Sequence, residues 1–255
     1  MTTADRQGVA LVTGASRGIG RAVAEQLSGQ GLKVAVSARS QHQLDETAAA
    51  CTGPTLVLPA DLTDPGSVEE LFAAVEREWG TVDVLVANAG AGVSSRVERT
   101  SDEGWQKMLD LNLTAPFRCM RRAIPAMREA GHGRIVVIAS VSAKVGDPYI
   151  SAYTASKHGV LGLVRSAAAE LATSGVTANA VCPAYVDTPM TDDTVVGIAT
   201  KTGRTEEQAR SILENKQPIG RLVTPAEVAN AVWFCVSNAA VNGQGINVDG
   251  GANQS

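Results

Sequence analysis

The sequence predicts one α/β domain: a doubly wound, parallel, seven-stranded sheet with helices on both faces. Short aliphatic runs alternate with longer segments of helical periodicity along the chain, as in folds built from βαβ units. Most of these runs are almost entirely apolar, which is typical of parallel strands buried on both faces. The chain has 255 residues, 44% of them hydrophobic, and no repeat or low-complexity linker divides it. We therefore assign residues 1–255 to a single domain.

The predicted strands share an aliphatic composition and are Val9–Thr13, Lys33–Ser37, Thr55–Pro59, Val82–Ala87, Arg134–Ala139, Val176–Val181 and Ile246–Val248. The predicted helices share a helical spacing of apolar residues and are Gly18–Gln30, Gln41–Ala50, Pro65–Trp79, Asp102–Ala130, Ala152–Thr173 and Pro225–Asn238. Two of these helices begin at a proline preceded by a polar capping residue, which suits the first helical position.

One polar and weakly periodic segment, Thr188–Gln217, interrupts the alternation before the last helix. Long irregular segments inside compact domains are usually functional. The sequence therefore predicts a lid at residues 188–217 over a functional site.

Charge and composition exclude several classes of protein. The chain carries 22 basic and 26 acidic residues, a net charge of −4, and has no basic stripe, so we expect no nucleic-acid partner. No apolar run reaches the roughly 18 residues of a membrane span, and Met1–Gly8 is polar, so we expect no membrane partner and a cytoplasmic location.

The cysteines and histidines show no metal-ligand or disulfide spacing. The cysteines are far apart in the sequence, and so are the histidines: Cys51, Cys119, Cys182, Cys235, His42, His132 and His158. We expect reduced, mostly buried thiols and no metal site.

The first predicted strand leads directly into the glycine-rich sequence Gly14-Ala15-Ser16-Arg17-Gly18-Ile19-Gly20 and then into a helix. Glycines at this place allow a tight turn and a close approach to a pyrophosphate, which the positive end of the helix attracts. The spacing is TGxxxGxG, which differs from GxGxxG and from a Walker loop. The pattern predicts a dinucleotide-binding loop.

Tyr153 and Lys157 are four residues apart at the start of a predicted helix, so both side chains lie on one face. A neighbouring ammonium favours tyrosinate and lowers the tyrosine pKa, which would allow proton exchange with a carbinol oxygen. Ser140 follows the predicted strand Arg134–Ala139, at the sheet edge where doubly wound folds bind ligands.

With these motifs, the whole chain resembles the short-chain dehydrogenase/reductase family, especially bacterial 3-oxoacyl reductases and polyketide ketoreductases. Further family landmarks fall in order: Asp61, Asn88-Ala89-Gly90, Asn112, and Pro183 through Thr188. The resemblance implies a Rossmann-type fold and an NAD(P)-dependent reductase that converts a carbonyl to a secondary alcohol, reversibly.

The resemblance also implies roles for individual residues. Tyr153 would exchange the substrate proton, and Lys157 would lower its pKa and bind the nicotinamide ribose. Ser140 would hold the carbonyl oxygen, and Asn112 would position a water. Besides Tyr153 and Lys157, the cofactor contacts would be Gly14, Ser16, Arg17, Gly18, Ile19, Gly20, Arg39, Asp61, Leu62, Asn88, Ala89, Gly90, Pro183, Val186 and Thr188. The substrate would contact Ser140, Ser142, Tyr149, Tyr153, Tyr185 and Met190.

Four positions depart from the family pattern. Ala87 replaces a common asparagine, and Ala184 replaces a common glycine beside the nicotinamide. Gly131 and Ser174 stand where carrier-protein reductases usually have basic residues that dock the acidic carrier. We therefore favour a small ketone, a keto ester or an acyl-CoA as substrate. The alternatives are a carrier-protein substrate, an NAD-linked alcohol or polyol dehydrogenase, and an inactive nucleotide-sensing relative.

The end of the second predicted strand favours NADPH over NADH. NAD enzymes of this architecture place an acidic residue about 20 positions after the glycines, and NADP enzymes place an arginine nearby. Here Ala38 occupies the acidic position and Arg39 follows it. Arg17 in the glycine loop can approach the same 2′-phosphate.

The predicted helix Ala152–Thr173 has few strongly polar residues. A helix that is apolar on nearly all sides must be covered on nearly all sides, either by a partner subunit or by helices of the same chain. The family resemblance implies a homotetramer with two-fold axes.

Overall fold

A computed structural model describes residues 7–254 of the chain and contains one parallel sheet within them. Its strands are β1 Val9–Thr13, β2 Lys33–Ala38, β3 Thr55–Pro59, β4 Val84–Ala87, β5 Gly133–Ile138, β6 Val176–Pro183 and β7 Gly245–Val248. Their order in the sheet is β3-β2-β1-β4-β5-β6-β7, with every neighbouring pair parallel. The predicted doubly wound, seven-stranded sheet is confirmed.

The described residues form α-helices α1 Gly18–Gly29, α2 Gln41–Ala50, α3 Pro65–Trp79, α4 Asp102–Leu109, α5 Ala115–Ala130, α6 Ser151–Leu171, α7 Pro189–Thr202, α8 Glu206–Asn215 and α9 Pro225–Ser237. Helices α1, α2 and α9 bury apolar side chains on one face of the sheet, among them Val23, Leu27, Leu44 and Val232. Helices α3, α5 and α6 cover the other face with Phe72, Met120 and Val164 among others.

The strand order reverses beside β1, which pairs with β2 on one side and with β4 on the other. The chain leaves β1 toward the face that α1 covers, and it passes from β4 through α4 and α5 to the opposite face. Such a reversal opens a crevice at the carboxyl ends of the strands, where open α/β sheets bind ligands.

The predicted long helix Asp102–Ala130 is interrupted in the structure. A π-helical turn, Asp110–Thr114, separates α4 from α5. Pro116 lies in the first turn of α5 and has no N–H to donate to an α-helical ladder. π-Turns insert an extra residue into a helix and often occur at functional sites. Asn112 lies at the centre of this turn and is therefore a candidate functional residue.

The predicted irregular segment Thr188–Gln217 is instead largely helical, and the expectation of an irregular lid is wrong in this respect. It contains α7 and α8, and a capping box between Thr205 and Gln208 starts α8. The two helices pack around a small apolar cluster outside both main cores, formed by Val195, Ala209, Leu213 and Leu222. Helices that bury few apolar side chains show only weak hydrophobic periodicity in the sequence. This explains why the spacing of apolar residues did not predict α7 and α8.

The other predicted boundaries lie within two residues of those observed, the usual scatter at element ends. The four cysteines are unpaired in the described part of the chain, and Cys119, Cys182 and Cys235 are buried. Within residues 7–254, none of the helices is both long and apolar enough to span a membrane.

Candidate active site

A cleft opens at the carboxyl ends of β1, β4, β5 and β6. Its lining includes ten residues predicted from the sequence: Ile19, Asn88, Gly90, Ser140, Tyr153, Lys157, Pro183, Val186, Thr188 and Met190. The chain brings these residues together from positions 19–190. The other predicted cofactor residues lie in the segments that follow β1 to β4: Gly14, Ser16, Arg17, Gly18, Gly20, Arg39, Asp61, Leu62 and Ala89.

At two positions of the glycine loop, close backbone contacts leave no room for a side chain. Gly14 has a φ of +64°, and a Cβ there would lie 2.7 Å from the Ala89 Cα atom. A Cβ on Gly20 would lie 2.2 Å from the Gly14 carbonyl oxygen. Gly20 is therefore needed for packing of α1 against the loop, while the loop itself stays open for a ligand's phosphates at the helix N-terminus. A dinucleotide cofactor fits this cradle.

Asn88 and Thr13 join β1 to β4 at the floor of the cleft. The Asn88 amide Nδ2 donates to the Thr13 and Gly14 carbonyl oxygens at 2.9 and 3.0 Å. In return, the Thr13 hydroxyl accepts bonds from the backbone N–H groups of Asn88 and Ala89, at 3.0 and 3.2 Å. These bonds fix the glycine loop relative to β4.

Tyr153 and Lys157 share one face of α6, as their spacing predicts. Lys157 is buried and its Nζ donates to the Ile138 carbonyl oxygen at 2.8 Å, while lying 5.6 Å from the centre of the Tyr153 ring. Burial lowers the pKa of Lys157 to about 8, so the ammonium form predominates at neutral pH.

The pKa of Tyr153 is raised, mainly by burial, although the Ser140 hydroxyl acts in the opposite direction. The lowered pKa predicted from the four-residue spacing is therefore wrong for this arrangement of the chain. The physical reason is that Lys157 directs its Nζ at a backbone carbonyl, while the phenol is removed from water. At neutral pH the phenol is protonated.

Ser140 lies between β5 and a short 3₁₀ turn, Val141–Ala143, and its side chain is 8% exposed. Its Oγ accepts a hydrogen bond from the Ser142 backbone N–H at 3.1 Å. This bond fixes the hydroxyl at the cleft wall, where it also forms a hydrogen bond with the Tyr153 phenol.

Asn112 is 1% exposed and holds the loop that follows β4. Its Oδ1 accepts from the Ala91 backbone N–H at 3.0 Å, and its Nδ2 donates to the Ala91 carbonyl at 2.9 Å. A Cβ on Gly90 would lie 2.9 Å from Asn112 Oδ1 and 3.7 Å from Lys157 Nζ. Asn112 therefore lies close to the lysine, but both ends of its amide already bind Ala91.

Two exposed arginines, Arg17 and Arg39, flank the glycine loop in the sequence and belong to the segments after β1 and β2. Neither forms an ion pair within 4.0 Å with a carboxylate of residues 7–254. Asp61 accepts bonds from the Thr63 backbone and hydroxyl. Those bonds lower the Asp61 pKa, and the charge of Arg39 adds to the effect.

Three residues predicted to contact substrate do not line the cleft. Ser142 is buried behind Ser140, and Tyr149 is 59% exposed, with a φ of +69°. Tyr185 packs against the cluster between α7 and α8, and its hydroxyl accepts a bond from Lys216 at 3.4 Å. Adjacency to the motifs suggested these residues, but Ser142 lies in the 3₁₀ turn and Tyr149 has a left-handed backbone, so closeness in the sequence does not place their side chains in the cleft.

Five lining residues were missed: Ala91, Ile138, Ala139, Ala184 and Thr191. Ala184 was noted only as a departure from the family pattern. The others lie within two residues of predicted residues, and the apolar side chains of Ala91, Ile138 and Ala139 give no chemical signal in a sequence. Ala87, the other departure within β4, is buried and pairs with Val137 in the sheet.

No group of three or more His, Cys, Asp or Glu side chains within residues 7–254 is arranged to hold a metal ion. The chemistry available in the cleft is therefore that of a phenol, a hydroxyl and an ammonium around an opening beside a phosphate-binding loop.

Comparisons with known proteins show relatives that match nearly the whole chain. The family model described as Enoyl-(Acyl carrier protein) reductase matches residues 14–253. The chain is 35% identical to a D-beta-hydroxybutyrate dehydrogenase of Rhizobium meliloti, over 95% of this chain and 97% of the relative. It is 39% identical to a putative ketoacyl reductase of Streptomyces coelicolor, over 98% of each chain. It is 38% identical to the 3-oxoacyl-acyl-carrier-protein reductase of Escherichia coli, over 95% and 96%.

Solved structures show the same relationship. A crystal structure of an actinorhodin polyketide ketoreductase variant with NADPH matches with a TM-score of 0.94 and 38% identity, covering 100% of both chains. A crystal structure of levodione reductase matches with a TM-score of 0.92 and 30% identity, over 96% of this chain and 97% of the other. The chain therefore belongs to the short-chain dehydrogenase/reductase family of NAD(P)-dependent oxidoreductases.

Proposed function

We propose that the protein uses NADPH to reduce a ketone or 3-oxoacyl-type carbonyl to a secondary alcohol, with Tyr153 as the proton donor. The observation that carries this proposal is the meeting of Ser140, Tyr153 and Lys157 in the cleft beside the glycine loop. The names of the relatives support it, because they include ketoacyl and 3-oxoacyl reductases and a ketoreductase with NADPH.

The residues that would hold NADPH come from both sides of the strand reversal. Backbone N–H groups at the start of α1 would bind its phosphates, and Arg17 and Arg39 would bind the 2′-phosphate. Asp61 would face the adenine side, while Lys157 and Thr188 would face the nicotinamide side. When bound, the nicotinamide supplies the hydride, and the protein supplies position and proton handling.

The protein's own groups would handle the substrate oxygen. The Ser140 hydroxyl would donate to the carbonyl oxygen and hold it near Tyr153. The raised pKa keeps the Tyr153 phenol protonated at neutral pH, which is the form that a reduction needs. As the phenol gives up its proton, the nearby Lys157 ammonium would stabilise the tyrosinate that forms.

The substrate that we propose is a small ketone, a keto ester or an acyl-CoA. At the two carrier-docking positions Gly131 and Ser174 offer no charge, and the Ser174 hydroxyl is bonded to the Leu171 carbonyl at 2.7 Å. A carrier-protein substrate remains the second candidate, which similarity to the Escherichia coli 3-oxoacyl reductase favours.

NADPH depletion across acetoacetyl-CoA, acyl-N-acetylcysteamine thioesters, aryl ketones and cyclic ketones tests the proposal. We expect consumption that depends on at least one of these carbonyl compounds. Oxidation of polyols with NAD, without any ketone reduction, would support the NAD-linked dehydrogenase instead. Cofactor binding without turnover of either kind would support the inactive nucleotide-sensing relative.

We also propose that residues 188–217 act as a substrate lid and that residues 1–255 work as one cytoplasmic domain.

We further propose that four copies of the chain assemble into a homotetramer. The homotetramer is supported by exposed aromatic side chains on the outer helices: Trp105, Phe117 and Phe234. Such side chains are enriched at protein interfaces. Light scattering at micromolar concentration should give four times the chain mass of 26.3 kDa, and a monomer mass would contradict the assembly.

A further inference from the structure

One guanidinium joins α8 to the beginning of α7. Arg210 on α8 contacts Asp187 Oδ1 at 2.5 Å, Asp192 Oδ1 at 3.2 Å and Glu214 Oε1 at 3.5 Å. We call these four residues the Arg210 cluster. The Arg210 side chain is 35% exposed, and those of Asp187 and Asp192 are 53% and 58% exposed, so water screens much of the cluster.

The Arg210 cluster reaches the cleft through Asp187. Val186 and Thr188, the residues on either side of Asp187, both line the cleft. Asp187 itself is not among the cleft-lining residues and instead contacts Arg210 on α8. Thr188 also approaches the glycine loop, since a Cβ on Gly18 would lie 3.1 Å from the Thr188 methyl group.

Backbone and hydroxyl bonds shape this segment, but they do not attach it to α8. The Asp187 N–H donates to the Val223 carbonyl at 2.8 Å, and the Thr191 hydroxyl donates to the Val186 carbonyl at 2.6 Å. Besides the apolar cluster between α7 and α8, Arg210 supplies the ion pairs that join this segment to α8. Without its charge, Asp187, Asp192 and Glu214 would be three neighbouring carboxylates, and their mutual repulsion would favour separation of α7 from α8.

We propose that Arg210 is a positioning residue for cofactor binding, because it ties the segment Val186–Thr191, which borders the cleft, to α8. This inference rests on the proposed NADPH-dependent function. No atom of the Arg210 side chain lines the cleft, so its effect would pass through Asp187 and Asp192.

The experiment compares the Arg210→Gln variant with an Arg122→Gln control. Arg122 also binds two carboxylates, Glu69 at 2.8 Å and Glu76 at 2.6 Å, but these join α5 to α3 and do not line the cleft. Hydrogen exchange is measured first without cofactor. We expect backbone amides of residues 185–192 to exchange about three- to tenfold faster in Arg210→Gln, the size typical of a partly exposed ion-pair network. The control should leave them unchanged.

Cofactor affinity and kinetics provide the second measurement. Arg210→Gln should weaken NADPH binding about three- to tenfold and raise the KM for NADPH similarly. The kcat should stay within about twofold, because the lost interaction stabilises bound NADPH equally in the ground state and in the transition state. Arg210→Lys should restore part of the affinity, and Asp187→Ala should reproduce the loss. In the parent, NADPH should slow exchange across residues 188–217, as expected of a lid.

Exchange at residues 185–192 that is equal in Arg210→Gln and in the control would overturn the inference. So would unchanged NADPH affinity in Arg210→Gln, or a loss of equal size in Arg122→Gln. If the parent protein binds no NADPH, the proposed function fails instead. The cofactor-free exchange measurement still decides whether Arg210 holds the segment.

Discussion

Replacing Tyr153 by phenylalanine should lower turnover by about 10²- to 10⁴-fold, the usual contribution of a positioned general acid. The substitution keeps the ring that contacts the cleft and removes only the hydroxyl. No other group in the cleft can replace it, because Lys157 donates to the Ile138 carbonyl and Ser140 would hold the substrate oxygen. NADPH affinity should change little, since the phosphate and ribose contacts come from other residues.

The measurement is the steady-state kcat together with the NADPH dissociation constant. Tyr149→Phe is the matched control, because the Tyr149 side chain is 59% exposed and does not line the cleft. Its turnover should stay close to that of the parent. Turnover of Tyr153→Phe within a few-fold of the parent would remove Tyr153 from its assigned role.

Combining Ala38→Asp with Arg39→Gln should reverse the cofactor preference from NADPH to NADH. A guanidinium–phosphate bond contributes roughly 1.5–3 kcal/mol, or about 10- to 150-fold in preference. In the structure β2 ends at Ala38, and Arg39 is exposed immediately after it. An aspartate at position 38 would both repel the 2′-phosphate and accept bonds from the ribose hydroxyls of NADH.

The readout is kcat/KM with each cofactor for the parent, the Arg39→Gln single variant and the double variant. The single variant should lose efficiency with NADPH and gain little with NADH, because it creates no ribose acceptor. A parent enzyme that already prefers NADH would contradict the assignment of Arg17 and Arg39. The alternative function, an NAD-linked alcohol or polyol dehydrogenase, would then be favoured.

The sequence predicts the sheet well because its strands are nearly pure aliphatic runs, such as Val9–Thr13, separated by clear helical segments. The glycine loop and the Tyr153–Lys157 pair can also be predicted from the sequence, since each needs particular residue types at a fixed local spacing. These features depend on local chemistry, which one sequence displays directly.

Other features depend on contacts between distant segments and were not predicted. The π-turn around Asn112 has no local signal except the nearby proline, and its purpose appears only in the bonds to Ala91. Burial of the phenol raises the pKa of Tyr153, against the lowering expected from its spacing to Lys157, whose ammonium binds the Ile138 carbonyl. Spacing along a helix cannot supply that information, because Ile138 belongs to a strand.

The position of β1 beside β4 has a consequence for synthesis of the chain. Within this domain, the interior strand β1 is synthesised before its second neighbour β4, which begins at Val84. The cleft needs residues as late as Thr191, so a nascent chain cannot complete it until that segment has been synthesised. NADPH can therefore stabilise only a chain that extends past Thr191, and at earlier stages β1 lacks this source of stability.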